Sequence, residues 1–287
     1  MQKRVLGIIG HPVSHSLSPL MHNTAAHELD LPYQYLAFDV DPVDPNELKK
    51  AVAGIRSLGI AGVNVTVPHK ERASKYVDTL DKDAELIGAV NTITNRKGLL
   101  EGSNTDGIGF LRSLKSAGFS PKNKRVAIIG AGGSTRAIVV SLLRAGVSEI
   151  ELINRSKDRA KKLVSRFSGL GDISYAGSGD IKSMETIEGC DLLVQTTPLG
   201  MKPSDPPPVS AGLKGIPFRK GQYVYDIIYS PPETAFLKTA KRAGAHTVNG
   251  LEMLLYQGSE SFKIWTGKRF PEDVVLRRLK RFLLKGK

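Results

Sequence analysis

The sequence contains very little cysteine and no long apolar run. Cys190 is its single cysteine, which excludes an internal disulfide framework and a cysteine-based zinc site and fits a reducing cytoplasm. No stretch approaches the roughly 18 consecutive apolar residues of a membrane span. The N-terminal apolar run, Val5 to Ile9, is shorter than the core of a signal peptide and is followed by Gly10 and Pro12. We interpret it as a first buried strand.

Acidic residues are also few relative to basic ones, 28 against 41, which gives a net charge of +13. Such an excess of positive charge can favour binding to nucleic acid, to an anionic membrane surface or to anionic small molecules. Much of it is local, in the tail 277–287 and in the segment 157–162. Apart from Phe282 no aromatic residue interrupts the basic tail, so a stacking platform for nucleic acid is poorly supported. We expect a solvated basic face, with neither nucleic acid nor membrane as a partner.

The six histidines lack the spacing of a metal site. His11 and His15 are four residues apart, but Pro12 lies between them in an expected loop. We therefore expect no metal ion.

Strand-like and helix-like segments alternate along most of the chain. The first series has strands at 5–10, 33–40 and 61–67, helices at 19–29, 45–58 and opening within 68–77, and a strand pair at 90–94 and 98–102 with a turn at Asn95-Arg96. After a helix from 108 and a polar break at 120–123, strands follow at 125–130, 149–155, 191–197 and 222–229, with helices between them, at 232–243 and from 251. This alternation predicts α/β architecture with mainly parallel sheets covered by helices, and an antiparallel edge at the strand pair.

The segment VAIIGAGGSTRA, residues 126–137, carries the strongest local motif. An apolar strand runs into Gly130, Gly132 and Gly133, and a helix begins immediately afterwards. Glycines allow a tight turn and close approach to a pyrophosphate, and the helix N-terminus favours that anion. Thr135 occupies the position of the third glycine, so the fingerprint is a variant. We predict a nucleotide site; the alternative is a structural glycine turn.

The end of the next strand indicates which dinucleotide is bound. NAD sites usually place an acidic residue there, whereas this chain has Asn154-Arg155-Ser156, with Arg159 and Arg136 nearby. These side chains can donate several hydrogen bonds to a 2′-phosphate. We therefore predict NADP rather than NAD. Helix capping by Ser156, with ordinary surface arginines, is compatible with both.

The chain resembles the shikimate dehydrogenases over nearly its whole length. The resemblance rests on eight motifs in order: GHPVSHSLSP (10–19), NVTVPHK (64–70), GAVNT (88–92), NTDG (104–107), GAGGSTRA (130–137), NRS (154–156), YDIIYSPPET (225–234) and NGLEMLLYQG (249–258). One departure is Gln195, where an asparagine is more usual; another is Ser134-Thr135, where Ala-Ser is commoner.

The resemblance implies two α/β domains: a substrate-binding domain at 1–106, a Rossmann-type NADP-binding domain at 107–250, and C-terminal helices at 251–287 that return to the first domain. The implied reaction is the reversible NADPH-dependent reduction of 3-dehydroshikimate to shikimate, in the chorismate pathway to aromatic amino acids. Monomer and homodimer both remain open.

The resemblance also assigns residues. Lys70 and Asp106 would form the catalytic pair. Substrate would be bound by Ser16 and Ser18, at its carboxylate, and by Thr66, Asn91, Tyr229 and Gln257. The cofactor would be bound by Gly130, Ala131, Gly132, Gly133, Ser134, Thr135, Arg136, Asn154, Arg155, Ser156, Arg159, Thr196, Thr197, Met201, Ile227, Gly250 and Met253. Asn64, although polar, is expected to support its neighbours.

The chemistry agrees with the proposed pair. A ketone reduced by hydride needs a proton, which Lys70 can supply while Asp106 orients it. Each residue has a simpler interpretation: a solvated lysine at a helix start, a helix cap for Asp106, caps or turns for the serines, and an exposed helix position for Gln257. Two rival functions remain: a quinate/shikimate dehydrogenase that uses NAD(P), and a non-catalytic nucleotide-binding relative.

Overall fold

The computed structural model describes residues 3–209 and 215–285. The chain forms two compact units. The first unit consists of Met1–Gly109 and Leu254–Lys287, and the second unit of Phe110–Met253.

The helices and strands of the first half are, in chain order, β1 (Arg4–Gly10), α1 (Ser18–Glu28), β2 (Tyr33–Asp39), α2 (Pro45–Ser57), β3 (Gly62–Val65), α3 (Lys70–Ala73), β4 (Thr79–Leu80), α4 (Lys82–Ile87), β5 (Thr92–Arg96), β6 (Leu99–Ser103) and α5 (Asp106–Ser116). The remainder are β7 (Arg125–Ile129), α6 (Gly133–Arg144), β8 (Glu149–Asn154), α7 (Lys157–Phe167), β9 (Ile173–Gly177), α8 (Ile181–Gly189), β10 (Leu192–Gln195), β11 (Tyr223–Asp226), α9 (Ala235–Arg242), β12 (His246–Asn249), α10 (Leu251–Thr266) and α11 (Glu272–Lys285).

The first unit is built on a mixed sheet in the order β2-β1-β3-β5-β6-β4. β1 pairs in parallel with β2 and β3, whereas β5 is antiparallel to both β3 and β6. The helix α2 packs on this sheet through Leu48, Val52 and Ile55, which recur at helical spacing and are buried with Val63. Asp44 caps the same helix by accepting a hydrogen bond from the backbone of residue 46.

The second unit is a parallel sheet in the order β12-β11-β10-β7-β8-β9. All its strand pairs are parallel, and apolar strands such as Val126–Ile129 are buried because helices cover the sheet. The strand order reverses between β7 and β10, which pair with each other. In open α/β sheets ligands bind at the carboxyl ends of the strands beside such a reversal. The single cysteine, Cys190, is buried here, and burial raises the pKa of its thiol to about 12, so it stays protonated and unreactive.

The α/β class predicted from the sequence is confirmed, with an antiparallel element at β3-β5-β6, but several local predictions are wrong. The hairpin turn lies at Lys97-Gly98, where both residues have positive φ, and not at Asn95-Arg96. The helix expected within 68–77 ends at Ala73, because Asp78 is drawn into hydrogen bonds with Leu100 of β6. The strand 61–67 ends at residue 65, where its ladder with β1 stops.

Five elements were not predicted: β4, α4, β9, α8 and β12. The helix expected at 232–243 begins only at Ala235, after the Thr234 cap. The helical end of the chain is two helices, α10 and α11. The last two residues of the basic tail lie outside the described part of the chain. Among the residues described, no helix combines the length and the apolar character needed to cross a membrane.

His22 lies fully buried in an aromatic cluster of the first unit. Its ring stacks on Tyr35 at a centroid distance of 4.3 Å and is surrounded by Phe262, Trp265 and Phe270. Burial lowers the pKa of His22 from 6.5 to about 3, against a smaller opposing effect of the neighbouring Asn64 side chain. The imidazole is therefore neutral in the folded protein at any pH near neutrality.

This burial predicts a loss of stability in acid. Between pH 6.5 and about 3 the unfolded chain binds a proton at His22 and the folded chain does not, so acidification favours unfolding. From pH 7 to pH 5 we expect His22 to contribute a loss of about 2 kcal/mol in the free energy of unfolding. The neighbouring Trp265, the single tryptophan, reports the transition in urea. In His22→Phe the loss should shrink by that amount, whereas the exposed control His27→Phe should keep it; equal slopes in all three proteins would contradict the prediction.

Candidate active site

Lys70 and Asp106 form a buried ion pair in the first unit. The ammonium donates to Oδ2 of Asp106 at 2.5 Å, and the two side chains are 13% and 4% exposed. Each residue begins a helix, α3 and α5, and the helix dipole favours a carboxylate at that position in α5. The side chain of Asn104 accepts from the backbone N–H of Asp106 at 3.1 Å, and the carbonyl of Lys70 accepts from the N–H of Val90 at 2.9 Å. Both members are thus fixed by their backbone.

Asn91 supplies the second contact of this carboxylate. Its side-chain amide donates to Oδ1 of Asp106 at 2.8 Å and to the hydroxyl of Thr105 at 2.9 Å, and lies 3.3 Å from Oε1 of Gln257. One oxygen of Asp106 therefore faces Lys70 and the other faces Asn91. Four of the residues predicted for the site, Lys70, Asp106, Asn91 and Gln257, form one connected set.

Three buried hydroxyl groups, those of Thr92, Thr105 and Ser261, form a hydrogen-bonded cluster next to Asn91. Its Oδ1 accepts from the backbone N–H of Thr105 at 2.9 Å and from the hydroxyl of Thr92 at 2.8 Å. Ser261, one turn beyond Gln257 on α10, contacts the hydroxyls of Thr92 and Thr105 at 2.8 and 3.2 Å. Thr92, Thr105 and Ser261 were not among the residues predicted for the site. The spacing of Ser261 from Gln257, which places both on one helix face, is the signal that could have found it.

Asn64 is enclosed by protein groups. Its amide donates to the Asn91 carbonyl at 3.0 Å and to the hydroxyl of Ser261 at 3.0 Å, and its oxygen accepts from the Tyr35 hydroxyl at 2.8 Å. Burial raises the pKa of that tyrosine well above its usual value. These hydrogen bonds connect Tyr35 to the Asn91 cluster.

The remaining predicted residues of the first unit lie near strand ends. The hydroxyl of Ser16 accepts from the N–H of Ser18 at 3.2 Å, and Ser18 is buried while Ser16 is half-buried. Thr66 follows β3 and donates its backbone N–H to Ile9 at 2.8 Å. Its methyl group lies only 2.3 Å from where a Cβ on Gly10 would stand, so β1 requires glycine there.

In the second unit the glycine loop follows β7, as predicted. Gly130 has a φ of +115°, and a Cβ on it would lie 2.3 Å from the hydroxyl of Thr196. That hydroxyl donates to the Ile129 carbonyl at 2.7 Å and contacts the hydroxyl of Thr135 at 2.8 Å, which in turn accepts from the N–H of Gly132 at 3.0 Å. A Cβ on Gly132 would meet no atom within 4 Å. The loop thus presents open backbone at the start of α6, and Ala131, Gly133, Ser134 and Arg136 flank it. These features fit the phosphates of a dinucleotide.

The end of β8 carries no carboxylate. Asn154 donates to the carbonyl of Ser156 at 2.8 Å, and the hydroxyl of Ser156 caps α7 by accepting from the N–H of Arg159 at 3.4 Å. Arg155 and Arg159 are exposed. Ser156 is therefore a helix cap, as the simpler interpretation expected. Arg155 and Arg159 lie at the surface beside it, where guanidinium groups suit a 2′-phosphate.

The other residues predicted for the cofactor lie at or beyond the ends of β10, β11 and β12. Thr196 and Thr197 follow β10, and Met201 is half exposed in the same loop. Ile227 follows β11, and Gly250 follows β12. A Cβ on Gly250 would lie 1.9 Å from the Ile227 carbonyl, so only glycine permits this approach. Met253 is buried in α10, and Tyr229 is half-buried in the segment after β11.

No group of three or more His, Cys, Asp or Glu side chains in residues 3–209 and 215–285 is arranged to hold a metal ion.

Family models match most of the chain in three segments. They describe a shikimate dehydrogenase substrate-binding domain at residues 8–93, a shikimate/quinate 5-dehydrogenase at 113–198 and a shikimate 5'-dehydrogenase C-terminal domain at 250–280. The shikimate dehydrogenase (NADP+) of Moorella thermoacetica is 46% identical over 280 residues, covering 96% of this chain and 92% of that protein. The chain belongs to the shikimate dehydrogenase family.

Solved structures of the shikimate dehydrogenase family agree with the fold. A shikimate dehydrogenase in complex with NADP+ has a TM-score of 0.86 at 40% identity and covers 98% of this chain and 96% of its own. The Thermus thermophilus enzyme, in complex with NADP(H) and shikimate, has a TM-score of 0.84 at 34% identity and covers 97% and 99%. The segment that matches the substrate-binding model includes Ser16, Ser18, Thr66, Lys70 and Asn91.

The contact between Gly250 and Ile227 gives a prediction for the second unit. Gly250→Ala should lower the free energy of unfolding by about 1–3 kcal/mol, because the added methyl group would overlap a backbone carbonyl. Gly169→Ala is the matched control, since its Cβ would enter open space. Urea unfolding followed by circular dichroism measures both variants. Equal midpoints would show that the Ile227 segment can move away and would contradict the prediction.

Proposed function

We propose that this protein catalyses the reversible NADPH-dependent reduction of 3-dehydroshikimate to shikimate. The observation that carries the proposal is the buried ion pair of Lys70 and Asp106, joined to Asn91 and Gln257 by hydrogen bonds. Membership of the shikimate dehydrogenase family, over nearly the whole chain, supplies the substrate class. The product would enter the chorismate pathway to aromatic amino acids.

Lys70 is proposed as the proton donor. Reduction of a ketone leaves an alkoxide oxygen, and the Lys70 ammonium can protonate it within a largely buried setting. Asp106 orients the ammonium and balances its charge, and Asn91 holds the other oxygen of that carboxylate. In the reverse direction the lysine amine takes the proton from the substrate hydroxyl.

The other residues of the first unit are proposed to bind the substrate. Ser16 and Ser18 would donate hydroxyl hydrogens to its carboxylate, and Thr66, Asn91 and Gln257 would bind its hydroxyl groups. Polar partners are needed there, because a buried hydroxyl left without one costs about 1–3 kcal/mol. For Tyr229, in the second unit, the proposal rests on the family resemblance alone.

The second unit is proposed to bind NADP, which supplies the hydride when bound. The open backbone of the glycine loop at residues 130–136 would hold the pyrophosphate. Asn154, Arg155, Ser156 and Arg159 would hold the 2′-phosphate, and the segments around Thr196, Thr197, Met201, Ile227, Gly250 and Met253 would bind the nicotinamide half. The first unit is accordingly the substrate-binding domain and the second the cofactor domain.

We propose a cytoplasmic location, because the single cysteine, Cys190, is buried and forms no disulfide. The protein is proposed to act as a monomer or a homodimer, which sedimentation would distinguish. A quinate/shikimate dehydrogenase that accepts NAD is the nearest rival. The absence of a carboxylate among residues 154–156 argues against it.

The proton-transfer proposal predicts that Lys70→Ala and Asp106→Ala lower kcat by about 10²–10⁴, while shikimate still binds. Reduction of NADP at 340 nm in the presence of shikimate measures the rate, and calorimetry measures shikimate binding. Lys75→Ala, a change at an exposed lysine five residues further on, is the control and should leave both unchanged. A Lys70→Ala variant with activity within a few-fold of wild type would eliminate the lysine as the proton donor.

The cofactor proposal predicts a kcat/KM at least about tenfold higher with NADP than with NAD, because the guanidinium groups near residue 155 can bind a 2′-phosphate. Arg155→Ala should reduce that ratio by weakening NADP alone. The same assay with quinate in place of shikimate tests the rival function. Near-equal values for the two cofactors would refute the assignment to NADP, and faster turnover of quinate would favour the rival.

A further inference from the structure

Two neighbouring strands of the second unit end on buried polar residues for which the proposed function has no role. Gln195 ends β10 and Asp226 ends β11, and the two are register partners with no exposed surface. Aspartate is rarely buried completely unless it is well compensated. The contacts of both side chains show what their burial achieves.

Gln195 closes the turn that follows β10. Its Oε1 accepts from the backbone N–H of Thr197, and its amide donates to the carbonyls of Thr197 at 3.0 Å and Leu199 at 2.9 Å. An asparagine, which is shorter by one methylene, could not keep the same reach from the same backbone position. Three hydrogen bonds of one side chain therefore help to fix the conformation of residues 196–199.

Asp226 pins both ends of the segment that follows β11. Its Oδ1 accepts from the N–H of Ile228 at 3.0 Å, and its Oδ2 accepts from the hydroxyl of Thr234 at 2.7 Å. The Thr234 oxygen in turn accepts from the N–H of Leu237 and caps α9. One carboxylate thus binds near both ends of residues 227–234, and the N–H of Ile227 also donates to the Gln195 carbonyl at 3.0 Å.

The two side chains are also joined to each other. The Gln195 amide lies 3.5 Å from Oδ1 of Asp226. The donors around the carboxylate are an amide N–H, a side-chain amide and a hydroxyl, all of them neutral. Burial raises the pKa of Asp226 to about 6, against the opposing hydrogen bonds from Ile228 and Thr234. A carboxylate perturbed in this way is typical of a functional site.

We propose that Asp226, with Gln195 as its partner, is a positioning residue of the cofactor site. It fixes the segments 196–199 and 227–234 so that the nicotinamide half of NADP is held in its reactive orientation. Asp226 acts through Thr196, Thr197 and Ile227, which are the residues proposed to border that half. The inference rests on the proposed function, since it assumes that these segments border the nicotinamide.

The test separates the nicotinamide half of the cofactor from its adenosine half. In Asp226→Ala we expect kcat for shikimate oxidation to fall by about tenfold or more, because a small displacement of reacting groups has that effect. The affinity for adenosine 2′,5′-bisphosphate, which lacks the nicotinamide, should stay within about twofold of wild type in calorimetry. Asp226→Asn should recover kcat to within about threefold, because its oxygen can still accept from Ile228 and its amide can donate to Thr234.

Asp191→Ala is the matched control. Asp191 also accepts from a backbone N–H, that of Arg125 at 3.0 Å, but it precedes β10, at the opposite end of the strands. It should leave kcat unchanged. Thr234→Val provides a second variant should Asp226→Ala fail to fold. It keeps the carboxylate but removes the two hydrogen bonds of the Thr234 hydroxyl, to Asp226 and from Leu237. It should lower kcat by about threefold or more, again without loss of the bisphosphate affinity.

Three results would overturn the inference. Values of kcat for Asp226→Ala or Thr234→Val equal to that of Asp191→Ala would show that the segments need no such support. A parallel loss of bisphosphate affinity and kcat would indicate general damage to the domain. A wild-type protein that does not reduce NADP with shikimate would overturn the proposed function itself, and the inference with it.

Discussion

The arrangement of Lys70 and Asp106 in the first unit depends on the hydrogen bonds of the Asn91 side chain. The Asn91 amide donates to Asp106 and to Thr105, and its oxygen accepts from the Thr105 backbone and from Thr92. Each of these groups is almost completely buried, so each needs a partner. Satisfying them together fixes the Asp106 carboxylate, and the carboxylate then fixes the Lys70 ammonium. The position of the Lys70 ammonium thus follows from the need of buried polar groups for hydrogen-bond partners.

In the second unit the main constraint is steric, because loops that follow neighbouring strands approach each other very closely. Gly130 and Gly250 stand where any Cβ would overlap Thr196 or the Ile227 carbonyl. These glycines let the loops after neighbouring strands crowd together at the carboxyl edge of the sheet, beside the reversal of strand order. Side chains such as Gln195 and Asp226 then hold those loops in place. The open backbone of the glycine loop and the fixed conformation of the loops beside it therefore both depend on close packing at this edge of the sheet.

Periodicity predicted the elements with strong patterns and failed where the pattern was short. The helix α2 shows its buried face at Leu48, Val52 and Ile55, and it lies where the sequence places it. β9 and β12 have five and four residues and were missed, since so few positions carry no usable period. The hairpin turn was predicted at Asn95-Arg96 but lies at Lys97-Gly98, because polarity alone does not identify the residues that adopt positive φ.

By itself the sequence determined the α/β class, the glycine loop before α6 and the family, because strand-to-helix alternation and ordered motifs are local and directly readable. It also named Lys70 and Asp106, but only through resemblance. Tertiary structure decided that these two residues meet at 2.5 Å, that Asn91 binds the same carboxylate, and that Ser261 reaches the cluster from α10. Those contacts join residues far apart in the chain, and hydrogen bonding between them depends on distances that no linear pattern encodes.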